Sequence, residues 1–286
     1  MRRISASIAA AGLVLAVAGC TAPQGDLTDG WPMIGPATPY RPAAGQCYET
    51  QTPTASMDDR AVSCTELHVA ETFHVGVAPD GPIPPAVGSA GARAAYQDCA
   101  TQAVGYLGGP WRGARIGVRV VWPTRAGWGG GARWYRCDVA QSDLDGLGDS
   151  SRSTSLAGAL RGSSSLRLGC FDPTVRAESV SAMKARPCTT AHHAEYAGLW
   201  AAPDIPYAQQ ISERTRTAAG CRSAIAAFTG VPDDSDVQYR TGWISVDPTK
   251  AEWLQGERRV RCFLWFSDRS LTRSLKNAGP SALPVR

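Results

Sequence analysis

The hydrophobic pattern of this chain changes character three times. Arg2 and Arg3 precede an apolar run from about Ile8 to Val17, and Thr21 to Pro42 is then so broken by Pro, Gly and Thr that no period survives. From residue 43 the pattern becomes that of a folded domain. Gln46 to Thr50 and Ala61 to Cys64 are short strand candidates either side of a Thr/Pro/Ser/Asp turn region, and Glu71 to Val77 extends the second. Ala92, Ala95, Tyr96, Cys99, Ala103 and Tyr106 recur at spacings of three and four, which predicts a helix that Gly108 ends. Arg115 to Trp122 and Arg133 to Val139 then predict a hairpin around Pro123 to Gly131. A second helical face, Tyr207, Ile211, Ala218, Cys221, Ile225 and Phe228, closes on Gly230. The order strand, strand, helix, strand, strand predicts an α+β fold: two tandem copies, each a short antiparallel sheet packed on one helix.

The cysteines show that the second pass is a copy of the first. Cys47, Cys64, Cys99 and Cys137 lie 17, 35 and 38 positions apart; Cys170, Cys188, Cys221 and Cys262 lie 18, 33 and 41 apart. Around them the residues match. Cys64-Thr65-x-x-His68-x-Ala70-Glu71 corresponds to Cys188-Thr189-x-x-His192-x-Ala194-Glu195, and Ala78-Pro79-Asp80 to Ala202-Pro203-Asp204. Pro123, Thr124, Trp128, Gly131, Arg133 and Arg136 recur as Pro248, Thr249, Trp253, Gly256, Arg258 and Arg261. Such internal repetition decides architecture before local propensity does. The expected organisation is a signal at 1–19, a tether at 20–42, one copy at 43–141, a Ser/Gly-rich flexible linker at 142–166, the second copy at 167–268 and a tail at 269–286. Four cysteines per copy allow three connectivities. The order of elements favours first with second and third with fourth, that is Cys47–Cys64, Cys99–Cys137, Cys170–Cys188 and Cys221–Cys262. The alternatives require strand pairings that the sequence leaves open.

The ninth cysteine, Cys20, closes the small-residue stretch Val17-Ala18-Gly19 directly after the apolar run. That is the layout of a bacterial lipoprotein signal, with Cys20 as the acylated residue. It predicts a chain anchored by lipid at the extracytoplasmic face of the plasma membrane, and paired cysteines agree with export. The formal net charge of +4 is too small for a nucleic-acid footprint, so no nucleic-acid partner is expected.

Gly45-Gln46-Cys47, Cys64, His68, Glu71, Cys99 and Cys137, and again Cys170, Cys188, His192, Glu195, Cys221 and Cys262, resemble the septum formation domain of actinobacterial envelope proteins. The second copy departs in having Gly169 directly before its first cysteine. The resemblance implies an exported or membrane-attached domain connected with the division site. It brings no catalytic residue and no cofactor.

His68, Glu71, His192 and Glu195 are the sharpest polar residues. If Glu71 continues an extended strand, positions three apart face opposite sides and each pair cannot share an ion. Each imidazole is then expected to bond nearby backbone beside its disulfide. No nucleophile elbow or phosphate loop occurs in the sequence. Among the tryptophans, the matched Trp128 and Trp253 are expected in the cores, while Trp111, Trp122 and Trp200 are candidates for a surface role. The expected function is binding or scaffolding in the cell envelope, without chemistry, with an envelope protein or a cell-wall glycan as partner. The alternative is an envelope hydrolase built on His68/Glu71 or His192/Glu195.

Overall fold

A computed structural model of the chain describes residues 40–50, 60–142, 148–176 and 179–286. The expected signal peptide, Cys20 and nearly all of the tether lie outside them. The first copy runs β1 (Cys47–Tyr48), β2 (Ala61–Val62), β3 (Ala70–Val77), α1 (Ala90–Leu107), β4 (Ile116–Val121), α2 (Arg125–Gly129), β5 (Trp134–Ser142) and β6 (Asp149–Ser150). The second runs β7 (Cys170–Arg176), β8 (Ser179–Arg186), β9 (Ala194–Ala201), α3 (Tyr207–Ser212), α4 (Arg214–Thr229), α5 (Val237–Arg240), β10 (Gly242–Val246), α6 (Lys250–Gln255) and β11 (Arg259–Trp265), followed by α7 (Gly279–Ala282). The sheet orders are β2-β1-β3-β5-β4 and β8-β7-β9-β11-β10, the same path twice, and every pairing is antiparallel. Cys47 stands opposite Glu71 and Cys170 opposite Glu195, so Gly169 does not shift the register. Even the bulge recurs, skipping Phe73 in β3 and the aligned Ala197 in β9.

Local chemistry explains these elements. The Ser89 side chain accepts from the Ala92 amide to start α1, and Gly108 ends it at φ +77°. Gly230 ends α4 at φ +74°. The second helix is not continuous as the periodicity predicts: Glu213, at ψ +62°, divides α3 from α4. Ile211 is therefore exposed rather than on the core face, and Tyr207 packs on Trp253. Both predicted hairpins carry a short helix at the turn. That helix sets Trp128 and Trp253 into the core, each indole N–H donating to a backbone carbonyl, Gly81 at 2.7 Å and Ile205 at 2.8 Å. Arg133 and Arg258 cover the two rings at 4.4 and 4.2 Å.

The disulfides are Cys47–Cys64, Cys99–Cys137, Cys170–Cys188 and Cys221–Cys262. In each copy one ties the opening strands and one ties the helix to the last strand. In the chain-entropy model such loops stabilise by roughly 3–4 kcal/mol each.

Two sequence expectations need correction. The Ser/Gly-rich stretch is not a free linker, because Leu156 and Leu160 are fully buried in the core of the first copy. The tail likewise contributes Leu271, Leu275 and Leu283 to the core of the second. The two copies also join in one compact unit, Pro39–Arg286. Glu257 accepts from Tyr96 at 2.6 Å and from Arg112 at 2.7 Å, and Arg261 donates to the carbonyls of Arg112 and Ile116 at 3.0 and 3.3 Å.

The unmatched tryptophans divide: Trp111 is in the core, while Trp122 and Trp200 are half-buried, and Trp122 also lines a pocket with Ile83 and Val87. Trp111 is buried and donates to the Ala100 carbonyl. Trp122 packs on Tyr135. Trp200 lies flat on α4 at Gly220, where a Cβ would fall 2.3 Å from the indole. Each ring fills space that its neighbours leave open, which spacing along the chain does not reveal.

Candidate functional site

In both copies the His/Glu pair sits where three pieces of chain meet: the turn after the second cysteine, the start of β3 or β9, and a strap that follows the domain's last strand. His68 and His192 precede their strands and each forms an isolated bridge to the strap, His68 to Arg152 and His192 to Leu271. This is why the opposite-face expectation fails. The strand begins only at Ala70, so His68 turns its ring toward Glu71, with Nε2 3.1 Å from Oε1. Its Nδ1 lies 2.8 Å from the Glu66 carbonyl, and the second copy repeats this at 2.7 Å from Thr190. The expected backbone bonds of both imidazoles are present.

The straps are also copies of each other. Leu156 and Leu275 donate their amides to Glu71 and Glu195, at 2.7 and 2.8 Å. Gly158 and Asn277 donate to the carbonyls of Tyr106 and Phe228 at the helix ends, and both adopt positive φ, +67° and +54°. Ser155 and Ser274 give their hydroxyls to the two carboxylates. The sequence signal was Ser-Leu at 155–156 and 274–275, which no cysteine flags.

The sites differ in their completion. Glu71 also accepts from Tyr106 at 2.8 Å, and burial, with this carboxylate nearby, pushes the Tyr106 hydroxyl up to about 12. The second copy has Phe228 there, without a hydroxyl, and the fully buried Nε2 of His192 has no hydrogen-bond partner among the described residues. A pocket of about 330 Å³ opens beside Glu195, Phe228 and Lys276.

As metal sites these clusters are poor. Cys47, His68 and Glu71 come within 4.8 Å of one another, as do Cys170, His192 and Glu195, but both sulfurs are already spent in disulfides. The carboxylates are occupied by strap amides. A third group, His74 with Asp98 at 3.0 Å, again involves a bonded sulfur, Cys137.

The paired cysteines, the buried His and Glu and the strap are thus all features of each copy. A family model described as septum formation matches residues 44–262, across both copies. The chain belongs to the septum formation family. That match ends before the second strap at Leu271, although the first strap lies within it. No curated protein and no solved structure matches the chain. Membership of the family carries a role related to septum formation.

Proposed function

We propose that this septum formation protein is held at the outer face of the plasma membrane by acylation of Cys20 and acts there as a binding or scaffolding module. It does no chemistry of its own in this reading, and its partner is an envelope protein or a cell-wall glycan. The observation that supports the reading is the fate of the four polar residues. His68, Glu71, His192 and Glu195 are all at most 3% exposed, and both carboxylates cap strap amides. A catalytic acid or base must reach a substrate proton. Among the described residues no helix is long and apolar enough to cross a membrane, so in this reading attachment rests on the acyl chains.

The hydrolase reading keeps one observation in its favour, the unpartnered Nε2 of His192. One experiment separates the two. The exported chain is incubated with whole peptidoglycan sacculi and with envelope membranes, and both pelleting and release of soluble fragments are measured. Saturable pelleting without release, unchanged in His192→Ala, is the expected outcome. Fragment release that His192→Ala abolishes would establish the hydrolase. Labelling with a radioactive fatty acid, lost in Cys20→Ser, checks the anchor.

A further inference from the structure

The outer strands of the two sheets, β4 and β10, are equivalent in sequence and opposite in treatment. Open strand edges invite pairing with another chain, and natural sheets blunt them with charge. In the first copy Arg119 stands in the middle of β4 and pairs with Asp149 at 2.8 Å. Its counterpart in β10 is Ile244, and the strand Gly242–Val246 contains no charged residue and no proline. Among the described residues, β10 pairs only with β11.

The two outer strands of the second sheet both reach one buried cluster, and the β7–β8 hairpin and β10 both reach one cavity. Met183 of β8 and Ile244 of β10 pack in one cluster. A cavity of about 600 Å³ lies in the seam, between Val175 and Val180 on one side and Trp243, Ile244 and Ser245 on the other. Three consecutive residues line it, so it follows the backbone of β10. Trp243 and Trp265 flank this edge from opposite faces, because they belong to neighbouring cross-strand pairs, Trp243 with Leu264 and Gly242 with Trp265. Arg214, more than half exposed, supplies the one charge in the lining.

We propose that this seam takes an extended polypeptide segment of a partner protein as an added strand along β10. The inference rests on the scaffolding reading and names the partner class. Among the described residues no second strand covers the outer edge of β10; a strand edge has the repeat of another strand, and flanking side-chain sites on both faces suit alternate residues. The segment would carry apolar side chains alternately against Trp243 and against Trp265 and Val180. Arg214 already pairs with Asp247 at 3.6 Å, and a carboxylate near one end of the segment would share it.

The test pans the full exported chain against a displayed library of random nine-residue segments. Expected are enriched segments with alternating apolar positions and an acidic residue. The best of them is then made in two forms, each N-methylated at one alternate set of amides. One form should bind about tenfold or more weakly and the other like the parent, because only one set faces β10. Val180→Lys and Ser245→Lys, at partly exposed positions, should weaken the parent peptide by at least about tenfold with the melting temperature unchanged. The proposal is overturned if no segment is enriched, if both methylated forms bind like the parent, or if both lysine variants retain full binding. Displacement of the peptide by cell-wall oligosaccharide with equal loss in Val180→Lys would assign the seam to glycan. Concentration-dependent dimerisation lost in Val180→Lys would assign it to a second copy of this chain. Sacculus or membrane pelleting that persists without peptide binding would sink the seam and leave the scaffolding reading intact.

Discussion

The first copy's carboxylate is fully served and the second's is not. Glu71 takes bonds from His68, Tyr106, Ser155 and Leu156. Among the described residues, Glu195 keeps only the strap donors, Ser274 and Leu275. What the two copies share is thus the carboxylate holding the strap, while the imidazole contact and the tyrosine are the parts that vary. The layer behind shows the same drift. In the first copy Arg136 pairs with Asp138 at 2.9 Å, Asp138 accepts from Thr72, and Arg136 stacks on Tyr48. At the aligned positions the second copy has Phe263, Tyr196 and Phe171 packed edge to face, and Arg261 leaves its own sheet for the carbonyls of the first copy. One backbone therefore tolerates a polar or an aromatic interior. In this chain the aromatic version frees an arginine to join the copies.

The comparison can be broken most easily at the carboxylates. Glu71→Ala strips partners from several buried donors and is expected to cost about 4 kcal/mol, against about 2 for Glu195→Ala, measured by urea unfolding. Equal losses would mean that the extra contacts of Glu71 contribute nothing. Arg136→Met removes the guanidinium from a buried carboxylate and should cost about 3 kcal/mol, whereas Arg261→Met should mainly loosen the packing of the copies. Limited proteolysis between the copies distinguishes the two outcomes. A reciprocal exchange sharpens the point: Tyr106→Phe should lower stability by about 1 kcal/mol, and Phe228→Tyr should raise it by a similar amount. If Phe228→Tyr destabilises, the pocket beside Glu195 cannot take the hydroxyl.

Alkali tests the two copies together. Burial lifts Tyr106 in one copy and Tyr196 in the other from 10.0 to about 12. A folded value above the unfolded one means that this stability is complete below about pH 10 and is lost as the pH rises through about 12. Tyrosinate absorbance followed alongside circular dichroism should show Tyr106→Phe and Tyr196→Phe each reducing that loss. A variant with an unchanged alkaline limb would remove its tyrosine from this account.

The repeat, its strands and its helices were legible because cysteine spacing and periodicity are written locally. The duplicated Trp128 and Trp253 were legible for the same reason. The straps were hidden by composition: Ser155 to Leu160 resembles a linker until Leu156 and Leu160 are seen inside the core. The His68–Glu71 contact was hidden by two residues of chain, since a strand starting at Ala70 leaves His68 outside it, bridged to the strap. Glu213 shows a third limit, for the periodicity of Tyr207 and Ile211 continues across a break that one ψ angle makes. Side-chain alternation reports which face a residue takes only once the element's first residue is known.

The position of the straps along the chain has a consequence for the order of folding. The first copy's strap, Arg152 to Leu160, precedes β7, so every residue of that copy has been synthesised before its twin begins. The second copy's strap follows β11, and Glu195 waits for Leu275 to arrive. Domains fold in the order in which synthesis delivers them. The first copy can therefore complete itself and offer the carbonyls of Arg112 and Ile116 as a template, while its twin remains open until the last segment is made.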